Sequence, residues 1–296
     1  VELRPDLDQI PALAAEREAQ WSRIAGADFL SEAEKRALLG LPAQAVYRAA
    51  FKAADKTILR EVQYDPGSSD PGPVVDPMLE SGADILCWCS SYAPMVHAMT
   101  EYAYAKGFKG QIISCTMDGY AQLIERTSPE FMEGVVFQFP DFDDPMLREK
   151  AFFFNRPHVF FEEYNRRFPG SWSAVSWEYV AILDIWHSAV EKAGSVEPPS
   201  VLAAMKQLGH VTHAFGHAEW WGDEIFGISN ALVGDWPIVT IREGKARIAG
   251  FKSIPGWLAQ HSGLLKAEMA ALGQLWHQRL ESGAPGSEVS SRAVRG

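Results

Sequence analysis

Three cysteines among 296 residues are too few for a disulfide framework, and they leave the redox compartment undecided. Basic side chains are scarce as well: 27 Lys and Arg face 38 Asp and Glu, a formal charge of −11. That balance excludes a general nucleic-acid binder, which needs a basic face to displace counterions from phosphate. No stretch approaches the roughly 18 unbroken apolar residues of a membrane-crossing helix. The chain opens at Val1 without the basic run and apolar core of a secretory leader. The expectation is a fragment, or a protein retained in the cytoplasm where it is made. The nucleophile elbow G-x-S-x-G, the Walker A loop, the G-x-G-x-x-G turn and the zinc motif H-E-x-x-H are all missing. With no nucleophile beside a base, neither enzymatic activity nor a cofactor is expected.

What is present is a globular composition, 47% hydrophobic and 22% charged. At about 100–200 residues per domain, the length suits one large or two modest domains. Residues 1–43 read as a helical segment of their own. Pro11 opens an Ala/Glu/Arg-rich stretch, Ser31 and Glu34 have the form of a capping box, and Gly40 before Pro42 is a stop. From Gln44 the pattern alternates. Residues 44–54 form an amphipathic helix with Val46, Ala50 and Phe51 on one face. Strands are predicted over 57–64, 84–89, 111–114 and 134–139, and helices over 74–79, 94–106 and 119–125, with a turn at 65–70. Strands separated by helices imply right-handed crossovers and a parallel sheet, so the predicted class is α/β, doubly wound, over 44–255.

Beyond Pro140 the texture turns helical and aromatic. Helices are predicted over 157–168, 173–193 and 198–208, the second carrying Trp177, Tyr179, Ile182, Leu183 and Trp186. Strands and turns follow over 211–248, with Gly222-Asp223 and Glu243-Gly244 as turn dipeptides. A long amphipathic helix over 257–280 and a Gly/Ser/Pro-rich end complete a terminal segment, 256–296.

Few side chains carry candidate chemistry. Cys87 and Cys89 lie two apart on a strand and share a face, and Cys115 ends the next strand. A three-thiolate metal site lacks a usual zinc spacing there, and thiols filling a buried sheet are favoured. His210, His213 and His217 would not all face one way in a strand-turn-strand, and no acid completes a metal triad. Asp141, Asp143 and Asp144 read as a solvated acidic turn, because the calcium-loop spacing and its bidentate Glu are missing. Trp220 and Trp221 could wall a ligand cleft, and core filling is the commoner use of such a pair.

A family resemblance covers most of this region. The segments AVYRAAFKAADK, REVQYDPGSSDPGPVVDPMLESGADIL and SSYAPMVHAMTEYAYAKGFKGQII follow one another in order. EGVVFQFPDFDDP, SAVSWEYVAILDIWHSAVEKAG and HAEWWGDEIFGISNAL…PIVTIREGKARI continue the series. Together they resemble the second half of a type I periplasmic binding protein, the leucine/isoleucine/valine-binding family that serves ABC importers. The resemblance implies a doubly wound lobe with an incomplete first lobe, hinge closure on a small ligand, an ABC permease as partner and a periplasmic setting. It places 151–208 on the return into the first lobe. It also implies ligand contacts at Tyr92, after the strand DILCWC, and at Thr116, after QIISC. The amino-acid binders carry Glu at the latter position, against the ligand ammonium. A threonine hydroxyl cannot neutralise a buried ammonium. Of amino acids, amides and carboxylates, the resemblance therefore favours the last two, with Asp118 as a substitute charge.

Residues 1–43, by contrast, resemble the C-terminal tail of a phage (gene-transfer-agent) portal protein through WSRIAGADFLSEAEKRALLGLPA. The two resemblances together read as a truncated or fused binding protein, impaired in ligand binding. Its uncovered first-lobe surface, the apolar face of 173–193, would drive self-association. The alternative function is that of a portal-derived structural protein, and a third is a metalloenzyme using the three histidines.

Overall fold

A computed structural model describes residues 41–278 apart from 66, 90, 116, 142, 148–156, 170–175, 208–209, 214–215, 227–228, 230 and 276. The helical and portal-like segment lies outside the described residues except for its last positions. The described part belongs to one compact unit, Pro42–Ser282.

Its first helix, α1 (Leu41–Ala53), buries Ala45 and Ala49, which are four residues apart and so share a face. The face expected from the sequence, Val46 with Ala50 and Phe51, is not the buried one: Val46 and Ala50 are exposed. The alanines lie in a smaller core that Leu258, Leu265 and Met269 of α10 (Ile254–Ala271) complete. The Lys52 ammonium of α1 also donates to the buried Glu268 carboxylate of α10.

Residues 57–65 alternate as the sequence suggested, yet they pair with no strand among the described residues. Side chains hold this segment instead. Glu61 accepts from Arg48 at 2.7 and 2.5 Å and from Gln44 at 3.0 Å, while Val62 and Tyr64 pack on the main core.

Three short parallel strands follow, each after a helix. The order is α2 (Gly72–Glu80), β1 (Ile85–Cys87), α3 (Ala93–Ala105), β2 (Gln111–Ile113), α4 (Tyr120–Arg126), α5 (Pro129–Met132) and β3 (Val136–Phe137). Pro94 in the first turn of α3 and Gly107 at φ +76 just past its end bracket that helix as the sequence implied. β1 pairs with β2 from Ile85↔Gln111 to Cys87↔Ile113, and β2 meets β3 at Ile113↔Val136, all in parallel.

The α/β class and its parallel sheet are therefore present, but the sheet changes direction at β3. A 3-10 turn (Pro145–Leu147), α6 (Pro157–Arg167), α7 (Ser176–Ala193) and α8 (Pro198–Gln207) come next, then β4 (His210–His213), β5 (Gly216–Trp221), α9 (Asp223–Phe226), β6 (Ala231–Arg242) and β7 (Lys245–Ser253). The sheet order is β1-β2-β3-β6-β5-β4, with β7 also on β6, and every pairing beyond β3 is antiparallel. Glu243 and Gly244, both at positive φ, form the two-residue turn between β6 and β7, and such a turn can join only antiparallel strands.

The twelve-residue β6 serves both cores. Val239 and Ile241 enter the main one with Leu86, Met99, Ile112 and Phe137, while Val233 packs on the smaller one. Inside the main core the indole N–H of Trp88 donates to the Thr100 hydroxyl at 3.0 Å, which in turn donates to the Val96 carbonyl at 2.6 Å. That chain satisfies the polar atoms of a residue pair with no access to water.

Two expectations about the helices change. Phe161 of α6 is fully buried in the core of β1–β3, so α6 belongs with the parallel strands; the return to the other part starts at α7, which packs on α8 and β4. The reason is hydrophobic: the aromatic ring of Phe161 reaches the parallel-strand core, and nothing in the local sequence marks which core it will join. The C-terminal helix stops at Ala271, short of 280, because Gly273 at φ +67 follows. The apolar face of α7 is partly open, with Ile182 58% and Leu183 56% exposed. No helix among the described residues is long and apolar enough to cross a membrane.

Candidate ligand site

Parallel strands end on the same side, so the loops after β1, β2 and β3 converge at one edge of the sheet. In open α/β sheets that edge is where ligands bind. Tyr92 sits there as the residue preceding α3, with an extended backbone (φ −74, ψ 153) that turns the chain into the helix. Its hydroxyl donates to the Ser68 carbonyl at 2.9 Å, which ties the 65–70 turn to the strand edge and leaves the residue 41% exposed. Tyr64 shares a side-chain hydrogen bond with Ser91 beside it, and burial pushes the Tyr64 hydroxyl pKa upward. Sequence reasoning missed Tyr64, because it lies in a segment read as strand; the only clue was its place before the Asp65 turn.

Asp118 is half-buried on the loop after β2. His97 of α3 reaches its backbone carbonyl at 2.5 Å through Nε2. A carbonyl only accepts, so Nε2 carries the proton. The next residue, Gly119, has φ +72, and a Cβ there would come 3.1 Å from the His97 ring, so both backbone and space demand glycine. Thr116 lies outside the described residues. The structure thus brings Tyr92 and the Asp118 loop to one edge through α3, which carries both Tyr92 at its start and His97 one turn on.

The three thiols also gather at this edge. Cys87 and Cys89 come together, and the Cys89 thiol lies 3.9 Å from the Cys87 sulfur. All three cysteines are half-buried, more open than the expected core filling. The Gln138 amide donates to the Cys115 sulfur at 2.9 Å, and the Cys115 N–H donates to the Cys89 carbonyl at 3.2 Å.

The acidic loop is not the solvated turn expected. Asp144 is buried, its carboxylate accepting the backbone N–H of Met146 at 2.8 Å and of Ile248 at 2.7 Å. Asp141 accepts from Tyr120 at 2.6 Å and from the Ala246 N–H at 3.1 Å, and burial raises its pKa. Asp143 is paired with Arg247 at 2.7 and 3.2 Å, which holds its carboxyl below the usual range. The loop is a clasp on β7, and the signal for it lay a hundred residues away. Asp144→Ala leaves the buried Ile248 N–H and the part-buried Met146 N–H without their acceptor and is expected to cost about 1–3 kcal/mol, with Asp144→Asn, which can accept one of them, in between. Urea unfolding of the three proteins checks the order.

The remaining candidates separate. The β4–β5 register sets His210 opposite Glu219, His217 opposite Thr212 and His213 opposite Gly216. No three His, Cys, Asp or Glu among the described residues are grouped to hold a metal ion. Trp220 secures α8: its indole N–H donates to the Met205 carbonyl at 3.0 Å, and the Lys206 ammonium lies 4.4 Å over its ring. Trp221 packs on the smaller core. Both tryptophans do structural work away from the strand edge.

Comparison with known proteins agrees with this architecture. No curated protein matches the chain. Among solved structures, a leucine-binding protein from Thermotoga maritima is 16% identical with a TM-score of 0.54, covering 71% of this chain and 56% of that one. A leucine-, isoleucine-, valine-, threonine- and alanine-binding protein from Brucella ovis, in a closed conformation, gives 14% and 0.56, covering 71% and 54%. An ABC-transporter solute-binding protein from Rhodopseudomonas palustris, in complex with 4-hydroxybenzoate, gives 16% and 0.54, covering 73% and 58%. The chain spans a little over half the length of each. At these identities the likeness is one of fold. The family described as periplasmic binding protein matches residues 38–246, a range that holds the three parallel strands, the Tyr92 edge, all of β6 and the start of β7. All but the last few residues of the portal-like run precede that match, and none of the comparisons supports that resemblance. By the extent of that match, the chain belongs to the periplasmic binding protein family.

Proposed function

We propose that the chain is the solute-binding part of an ABC importer, acting in the periplasm with a membrane permease as partner and performing no catalysis. The observation that carries this is the strand edge at Tyr92. Its ring is open to solvent, its hydroxyl is tethered to Ser68, and the Asp118 loop stands beside it on the same helix-borne scaffold. An aromatic platform held by a backbone hydrogen bond is fit to stack on a small planar ligand.

The ligand class follows from the sequence, through the family resemblance. Threonine at 116 offers no charge to an α-ammonium group, so we assign a carboxylate or an amide, with aromatic acids foremost. The R. palustris protein crystallised with 4-hydroxybenzoate has a related fold, which supports the choice without fixing it. Residues 38–246 by themselves supply one wall of a cleft that closes between two, so the affinity expected of them alone is low.

Thermal unfolding with a panel of aromatic acids, aliphatic carboxylates, amides and amino acids tests this. Selective binding to the native state raises the midpoint by mass action, by about 2.7 kcal/mol of stability at a hundredfold excess over Kd. A shift confined to acids or amides is the expected result. A shift by α-amino acids alone overturns the ligand class, and no shift by any solute at millimolar concentration overturns the binding role.

A further inference from the structure

Cys87 and Cys89 are more than two thiols that happen to be close. Between them Trp88, just past the end of β1, is buried and pinned through its indole N–H to Thr100. The backbone on either side is tied to the next strand, Trp88 N–H to Ile113 and Cys115 N–H to the Cys89 carbonyl. Cys89 itself holds a left-handed backbone at φ +50, an unfavourable state for a side chain with a Cβ, and in that state its sulfur stands 3.9 Å from that of Cys87. Strain held in place at a pair of nucleophilic atoms marks a site built for them.

We infer that Cys87 and Cys89 form a two-thiolate site for a soft, thiophilic cation that accepts in-line two-coordination, such as Cu(I). A metal–thiolate bond is about 2.3 Å, so two in line span about 4.6 Å, and the sulfurs need part by less than about 1 Å. Harder or tetrahedral ions are disfavoured by the donor set. No third His, Cys, Asp or Glu among the described residues joins the pair, and the sulfur of Cys115 is engaged by the Gln138 amide. Thiolates select soft ions over Mg(II), Ca(II) or Mn(II). On binding, both S–H bonds break, two sulfur–metal bonds form, and two protons pass to solvent.

The test is an anaerobic titration of the reduced chain with Cu(I) against a coloured Cu(I) chelator, with no organic solute present, so it stands apart from the solute proposal. One equivalent is expected to bind and to shield Cys87 and Cys89 together from alkylation, as peptide mapping of the unaltered chain shows. Cys87→Ser and Cys89→Ser should each weaken binding by more than the roughly 10–100-fold that outer-shell changes cause, while Cys115→Ser leaves it within about threefold. Failure to take up Cu(I), equal binding by the Cys87 or Cys89 variants, a requirement for Cys115, or tighter binding of Zn(II) than of Cu(I) overturns the site.

Discussion

Replacing Phe161 with alanine is expected to cost about 3–5 kcal/mol, the range for deleting a buried aromatic ring, and to lower the unfolding midpoint by roughly 6–20 °C. The ring is fully buried, and it is the residue by which α6 enters the core of β1–β3. Its deletion leaves a cavity in a core that also holds Ile112, Phe137, Val239 and Ile241 from parallel and antiparallel strands, and a close-packed core can relax only in part. Phe168, at the exposed end of the same helix, serves as control: Phe168→Ala should change stability by no more than about 0.5 kcal/mol. Hydrogen exchange adds a spatial readout. Faster exchange in α6 and β1–β3, with α1 and α10 unchanged, is the expected result, because Ala45, Ala49 and Leu265 lie in the other core. Faster exchange in α1 and α10 instead would place α6 with the wrong core.

The second large effect is on binding. Tyr92→Ala is expected to weaken the best acid or amide by roughly 10- to 150-fold, about 1.5–3 kcal/mol for the burial of an aromatic ring, which removes saturable binding where affinity is already low. The ring does the work in this proposal, since the hydroxyl hydrogen is committed to Ser68. Tyr92→Phe keeps the ring and loses only the tether, so it should bind within several-fold of the parent. Isothermal titration with the ligand that shifts the midpoint most separates the cases. Equal affinity in Tyr92→Ala removes Tyr92 from the site, and equal loss in both variants moves its role from stacking to hydrogen bonding.

Much of the local structure was legible residue by residue. α3 was bracketed by Pro94 and Gly107, and the β6–β7 hairpin was marked by Glu243-Gly244, because a fixed φ or a positive φ acts on its own peptide unit wherever the chain goes. Cys87 and Cys89 do come together, but Cys89 lies past the end of β1 at φ +50, so a turn rather than the two-residue period of a strand brings the sulfurs to 3.9 Å. Segment 57–64 was misread for an instructive reason. Its alternation is real, and Val62 and Tyr64 do face the core, but alternation specifies a face and cannot specify a ladder partner. The buried face of α1 was misread because the size of an apolar side chain does not say which face of a helix the rest of the fold will cover, and here it covers Ala45 and Ala49.

The candidate site divides along the same line. Tyr92 was within reach of the sequence through resemblance, and its tether to Ser68, the Tyr64–Ser91 pair and the His97 hold on Asp118 were not. Nor was the clasp of Asp144 on Ile248 or the burial of Phe161 among the parallel strands.

By itself, then, the sequence determined the α/β alternation, the helix limits set by Pro94 and Gly107, the hairpin turn, and the acidic balance that argues against a general nucleic-acid binder. Those are properties of near neighbours and of sums over the chain. The tertiary structure alone decided the change to antiparallel pairing at β3, the burial of Phe161 of α6 in the core of the parallel strands, and the meeting of three thiols and a tethered tyrosine at one sheet edge. Each of these depends on which distant segment arrives alongside, and that choice minimises exposed apolar surface and unpaired backbone groups over the whole fold, which no local window contains.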